Sequence, residues 1–543
     1  MNATKTNRMI LILSSLFLFS CNSFLEENPR DQLPEKEIYT NANAMYLNTV
    51  ATLYNYIGGY ENSQGLQGTN RGVYDLNTFT TDEAILPTRG GDWYDGGFWQ
   101  GLFLHQWGTK SSEIRATWEY IYKVIVLSNK SLETLDEYKD KLTAIQLSAW
   151  QAEVRAFRAM YYFYLMDLFG RVPLVLSSST PMSEVRQSDR GEVFRFIVDE
   201  LMAAAPHLPL ERSNHQGEYY GRVTRPVAWF LLAKLALNAE VYTHDQWTTT
   251  SRPDGKTIYF RIDGEQYNAW ETTIAYCDSL AAMGYRLSDN YISNFAVFNE
   301  FSVENIFTIP MDKHFYRHQM QNLFRSRHYN HAKAYGLGGE NGSSATIEVL
   351  DTYGYGTDSV DTRFTICYFA DEVHDLKGNK ILLDNGEVLV YHPREVKLDL
   401  SGSPFEKTAG ARMKKYEIDP KATKDGKLSD NDIVLFRYAD VLLMKSEAKV
   451  RNGMNGDAEL NAVRERVGEP WREATLPRIL DERQMELAWE GWRRNDLVRF
   501  GLYTRAYHSR PQLPDEANGY TTVFPIPEDI IRLNTNLKQN PGY

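Results

Sequence analysis

Apolar positions between residues 150 and 169 recur at helical spacing, with Val154, Phe157, Tyr161, Leu165 and Leu168 on one stripe. Ala152, Ala156 and Ala159 are small enough for a neighbouring helix to approach closely. Gly170 reads as a helix stop and Pro173 forbids continuation. The pattern predicts a long helix over 144–169, packed in a helical array. The same spacing predicts helices at 40–57 (Met45, Leu47, Val50, Leu53, Tyr54) and 113–138 (Trp118, Ile121, Tyr122, Ile125, Leu132). Further helices are expected at 188–206, 222–244, 267–284, 431–453 and 479–501.

Consecutive helices of this kind stack as pairs, which is how tetratricopeptide-like arrays are built. No tidy repeat length is kept, so the array is degenerate. Residues 285–429 are different, dominated by glycine, aspartate and short β-rich runs. Asn385-Gly386 lies between apolar runs and predicts a hairpin turn. The expected fold is mainly α: a helical-pair array over 113–284 and 430–500, with a loop-rich lobe carrying short β-hairpins.

Periodicity fails over 58–112, where glycines and aromatic residues crowd together. So many large rings argue against disorder, and long irregular segments in compact proteins are usually functional. The densest piece, residues 89–107, holds Trp93, Tyr94, Phe98, Trp99, Phe103 and Trp107 among five glycines. Ring faces suit the C–H-rich faces of sugars, whose hydroxyls need polar neighbours such as Arg89, Asp92, Asp95 and Gln100. The competing role is to anchor the loop on the helical core. Phe103 and Trp107 are assigned to the core; Trp93, Tyr94 and Trp99 suit either role. Residues 312–335 carry Phe315, Tyr316 and Tyr329 as further stacking candidates. His314, His318, His328 and His331 lie there too, without a carboxylate partner or a zinc-protease motif, so no metal is assigned.

Charge narrows the ligand. The net charge is −12, which argues against nucleic acid, because phosphate binding needs a basic face. Lys5 and Arg8 precede a short apolar run, Met9–Phe19, and then Leu18-Phe19-Ser20-Cys21 resembles a lipoprotein cleavage site. Cys21 is the expected lipidation site, residues 1–20 the signal peptide and 21–39 a polar tether. Removing 1–20 takes away the two positive charges and leaves −14. Cys277 and Cys367 have no metal-like spacing and are expected free and buried. Asp358 and Asp361, or Asp430 and Asp432, could hold a structural calcium, though no full calcium loop is present. No other cofactor is expected. Glu482, Glu486 and Glu490 are spaced along one helix face beside Arg483, Arg493 and Arg494. That suits ion pairs rather than two carboxylates flanking a glycosidic bond.

Several motifs carry a resemblance. Glu153, Arg155, Arg158, Ala159, Tyr161–Tyr164, Leu165, Phe169, Gly170 and Pro173 match the signature helix of the SusD/RagB family of outer-membrane glycan-binding lipoproteins. Further matches are Thr81-Asp82-Glu83, Asn129 in its helix, Arg437–Leu443, Leu460–Arg464, Glu482–Gly491, Asp496–Arg499 and the C-terminal Gln539–Tyr543. The resemblance implies a non-catalytic surface lipoprotein, lipid-anchored in the outer membrane and facing the cell exterior. It would bind oligosaccharide for polysaccharide utilisation and pass it to a SusC-like TonB-dependent transporter. By the same resemblance Arg71 is a hydroxyl-binding residue, while Asp82 is read as a structural cap. Two alternatives stay open: a relative that takes up peptides or another nutrient, and a surface glycoside hydrolase.

Overall fold

The computed structural model describes residues 39–59, 64–67, 71–248, 251–316 and 321–543; Cys21 and His318 lie outside them. Five helices build the first part of the array: α1 (Ser112–Glu137), α2 (Ala144–Phe169), α3 (Arg190–Ala204), α4 (Arg225–Leu237) and α5 (Ala269–Ala282). Local signals set their starts. Thr143 and Gln146 form a capping box on α2, and Asn268 with Glu271 forms one on α5. Each helix packs on the next, α1 on α2, α2 on α3, α3 on α4 and α4 on α5.

Helix α2 is not the amphipathic helix its stripe suggests. From Ala152 to Phe169 every residue except Arg155 is buried, so α2 is the central strut of the array. Its buried charges are all paired. Glu153 meets Arg222 at 2.6 Å, Arg158 meets Glu200 at 2.6 Å and Asp167 meets Arg494 at 2.7 Å. The chain leaves α2 at Gly170, with φ of 71°. A Cβ there would stand 2.8 Å from the Trp247 ring, so only glycine fits.

Two long expected helices are broken. In 431–453, residues Ile433–Arg437 form strand β2, antiparallel to β1 (Asn305–Ile309), before helix α6 (Tyr438–Arg451) begins. Both strands are buried throughout, so no alternation marks them. The stretch 479–501 splits into α8 (Leu476–Glu486) and α9 (Arg493–Arg499), with α7 (Asp457–Arg466) ahead of them. The break falls at Trp489, with φ of 66°, whose amide donates to Glu83 at 2.8 Å. Among the described residues the four remaining strand pairs are short hairpins or ladders. The turn at Asn385-Gly386 forms, with Leu383 and Glu387 bonded across it at 2.8 Å. Cys277 and Cys367 are free and buried.

The main hydrophobic core runs from Met45 to Ile526, with smaller separate clusters around Val373, Ile381, Leu389 and Tyr391 and around Leu443, Leu460, Val463 and Ile479. Charged contacts join Asp82 to the C-terminal part of the chain. Asp82 receives both Arg493, at 2.6 and 2.9 Å, and Arg505, at 2.9 Å. At the C-terminus Asn540 donates to the Phe169 and Phe524 carbonyls, each at 2.8 Å, and so seats the last residues on the end of α2. Among the described residues no helix is long and apolar enough to cross a membrane.

Candidate functional site

The two aromatic-rich stretches are locked together. Asp75 and Arg325 form a buried bidentate pair at 2.7 and 3.0 Å, and the Arg325 guanidinium lies 5.1 Å from both the Phe79 and Trp99 rings. The Trp93 indole donates to the Glu340 carbonyl at 2.8 Å. A Cβ on Gly342 would come within 2.8 Å of that indole, so the bare backbone there lets the ring lie flat against it. Four side-chain-bearing residues of the segment have left-handed backbone: Arg71 (φ 59°), Trp93 (64°), Asp95 (44°) and His105 (56°). Such conformations cost on the order of 1–3 kcal/mol each and gather at functional sites.

These anchors hold a set of rings at the surface. Tyr94 is 61% exposed, Phe315 82%, Tyr316 44% and Tyr329 43%. Polar groups stand beside Tyr94 and Tyr329. Arg71 pairs with Asp95 at 2.8 Å and Glu113 at 3.7 Å, with its guanidinium 5.5 Å from the Phe98 ring. Asp92 accepts from the Tyr329 hydroxyl at 2.9 Å and from Lys407 at 2.7 Å. The Lys407 bond holds the Asp92 carboxyl below its usual range, so it is ionised at neutral pH. Burial, with the bond to Asp92, pushes the Tyr329 phenol up to about 12, so it stays a donor. Lys313 grips Asp419 at 3.2 Å and also Asp430, fixing the start of the segment that carries Phe315 and Tyr316. The 423–427 turn joins this segment to the Trp93 side. Thr423 donates to the Lys313 carbonyl at 3.4 Å, and Lys427 pairs with Glu340 at 3.7 Å.

Several expected roles change. Trp99 is only 1% exposed; the start of the short helix Phe98–Phe103 turns it inward between Phe79, Trp93 and Phe98, and its indole donates to Asp95 at 2.8 Å. It is a core ring and cannot stack on a surface ligand. Trp93 is half-buried, with its polar edge already committed to Glu340. Arg89 is fully buried, donating to Ser344 and to the Gly342, Glu406 and Ala409 carbonyls, so it rivets the loop instead of offering hydrogen bonds at the surface. Phe103 is buried, and Trp107 donates to the Tyr543 hydroxyl at 2.6 Å. Lys407 and Glu340 belong to the face without having been singled out, because nothing local in the sequence marks the residues that a distant segment brings.

The other titratable clusters are structural. His328 caps the helix Tyr329–Ala334, and His331 bonds the Tyr391 and Tyr335 hydroxyls at 2.8 and 3.1 Å. Burial pushes both imidazoles down, to about 4 and about 3. Asp361 is held by Arg363, Asp430 by Lys313, and Asp432 by Tyr220, Thr308 and the Met311 amide. Among the described residues no group of three metal-ligating side chains stands together. Glu482, Glu486 and Glu490 are buried and ion-paired with Arg363, Arg437, Arg464, Arg466 and Lys415. No sugar can reach them to be cleaved.

Comparison with known proteins follows the same outline. The model described as "SusD family" matches residues 303–543, and the model described as "Starch-binding associating with outer membrane" matches 23–237. The starch-binding protein SusD of Bacteroides thetaiotaomicron is 25% identical over 524 residues, covering 88% of this chain and 87% of its own. Two solved structures share the fold. A laminarin-binding SusD-like protein has a TM-score of 0.67 and 24% identity, covering 93% of this chain and 100% of its own. Surface glycan-binding protein A from Bacteroides thetaiotaomicron, in complex with laminarihexaose, has a TM-score of 0.68 and 19% identity, covering 92% of this chain and 100% of its own. With the helical array, the family motifs and matches to both halves of the chain, this protein belongs to the SusD/RagB family.

Proposed function

We propose that this protein binds oligosaccharide on the face formed by Arg71, Tyr94, Asp92, Tyr329, Phe315 and Tyr316. It then passes the sugar uncleaved to a SusC-like TonB-dependent transporter, while a lipid on Cys21 holds it at the outer membrane with this face toward the cell exterior. The observation that carries the reading is the set of exposed rings, with fixed donors and acceptors beside Tyr94 and Tyr329. Exposed aromatic side chains leave apolar surface in water, and a ligand that covers them gains the free energy of burying it. A pyranose offers such rings its C–H face and offers Asp92, Asp95 and Arg71 its hydroxyls. Trp93 supports the platform from below. The family binds carbohydrate without catalysis, and the relatives named for starch and laminarin favour a glucan. Calorimetry against host and plant oligosaccharides, with a Tyr94→Ala variant alongside, tests the site. Binding in the parent protein that weakens about tenfold in a variant with an unchanged melting curve is expected. Undiminished binding in Tyr94→Ala would sink this placement. Co-purification of the transporter with the Tyr94→Ala protein separates delivery from capture.

A further inference from the structure

The short helix Tyr329–Ala334 connects the proposed face to a second concavity. Tyr329 at its start bonds Asp92 on the face, while Tyr335, just past its end, lines a cleft of 940 Å³. Six helical residues span about 9 Å, so the two sites are near neighbours. The volume falls within the range of about 300–1,000 Å³ usual for small-molecule sites.

The lining is mixed in a particular way. Tyr355 and Phe369 supply rings, and Asp371, Glu372, His374 and Lys414 supply polar groups. Asp371 opens the second of two strand pairs, Tyr368–Phe369 with Arg412–Met413 and Asp371–Glu372 with Val390–Tyr391. Its backbone is left-handed, with φ of 56°, and its carboxylate accepts from the Tyr355 hydroxyl at 2.7 Å. Lys414 donates to the Thr365 carbonyl at 2.6 Å with its ammonium 5.5 Å from the Phe369 ring. Glu372 holds Lys380 at 2.8 Å and His374 at 3.1 Å. A purely apolar ligand would strip water from these groups without replacing its hydrogen bonds. An anionic ligand would meet the Asp371, Glu372 and Glu417 carboxylates. A neutral sugar satisfies both halves of the lining, stacking on the rings and exchanging hydroxyl bonds with the acids.

We infer that this cleft is a second oligosaccharide site, which takes a further stretch of the same neutral glycan chain whose other part lies on the Tyr94–Tyr329 face. The inference rests on the glycan reading of that face. Occupying one site raises the effective concentration of the chain at the other, so affinity becomes a function of chain length. Calorimetry of the purified protein with α-1,4- and β-1,3-linked glucose trisaccharides and hexasaccharides tests it. The longer sugar is expected to bind at least about tenfold more tightly, below the 10²–10⁴-fold ceiling of two-site avidity. Phe369→Ala removes a stacking ring. Val360→Trp fills the cleft from a rim position that is 36% exposed, so it leaves the packing intact if Phe369→Ala does not fold. Either variant should erase the length-dependent gain and leave trisaccharide binding unchanged. A gain that survives in the folded Val360→Trp protein, or no gain in the parent, overturns the second site. Trisaccharide binding that withstands Tyr94→Ala overturns the first site instead. No binding of any glucan overturns both.

Discussion

Tyr94 and Trp99 stand five residues apart in one glycine-rich segment and have opposite environments. Composition marks both as rings among glycines, but only the turn into the helix Phe98–Phe103 decides that one faces water and the other the core. Tyr94→Ala is expected to lower glycan affinity about tenfold, a loss of about 1.4 kcal/mol, with no change in melting temperature. Trp99→Ala is expected to cost about 3–5 kcal/mol of folding stability in chemical denaturation, because it empties a packed site. Arg437 is a stronger case. It is buried among Glu304, Glu486 and Glu490, at 2.7–2.8 Å. Arg437→Met would leave these carboxylates short of a buried cation, and breaking such a pair typically costs about 3–5 kcal/mol. The expected outcome is a protein unfolded at much lower denaturant, or one that fails to accumulate. That Glu482, Glu486 and Glu490 serve ion pairs was legible from their spacing, but the neighbouring Arg483, Arg493 and Arg494 pair elsewhere, with Asp440, Asp496, Asp82 and Asp167. The glutamates' actual partners, Arg363, Lys415, Arg437, Arg464 and Arg466, were not legible.

At the scale of elements, the helices with local start or stop signals emerged within two or three residues of their expected ends, as α1, α2 and α5 show. The errors fall where all-round burial comes without such a signal; α2, buried on all sides, is bounded by its Thr143 cap and Gly170. Strand β2 lies under both neighbours, so its apolar run carries no period and merges with α6 in the sequence. The α8–α9 break depends on Trp489 bonding to Glu83, a residue 406 positions away. Helix ends were easier, because the stop is a local event. Gly170→Ala should therefore be costly despite its small size. It places a Cβ against Trp247 in a left-handed backbone, and a loss of about 1–3 kcal/mol is expected from thermal melting.

For the whole molecule, buried charge makes stability depend on pH in a predictable direction. Burial alone would raise the carboxyls of Asp440 and Glu447, but Arg483 and Lys234 hold the first down to about 2, and Arg499 and Arg451 hold the second down to about 2. The unfolded chain binds protons on these groups at higher pH than the folded one. Their stabilisation, on the order of 3 kcal/mol each, is complete above the ordinary carboxylate range and is lost as pH falls toward 2. Burial pushes Glu83 and Asp432 the other way, each up to about 7. They favour the folded state while protonated, so stability declines as pH rises from the ordinary carboxylate range through 7. The melting temperature is expected to peak near about pH 5. A profile that rises steadily from there to neutral pH would contradict these assignments. The ion pairs that set this balance join residues the sequence scatters, such as Lys234 and Asp440, which is why charge counting could not reveal them.

The Asp82–Arg493 clasp spans 411 residues, and that separation orders events in time. Every ring of the proposed face is synthesised before Arg493, yet the segment carrying Tyr94 follows directly on a carboxylate that stays uncompensated until the last tenth of the chain arrives. Contacts so distant in sequence form slowly. Capture of a ligand should therefore appear only in the final phase of refolding, after helical circular dichroism has recovered. A chain stopped short of Arg493 should hold much of its helix and bind nothing.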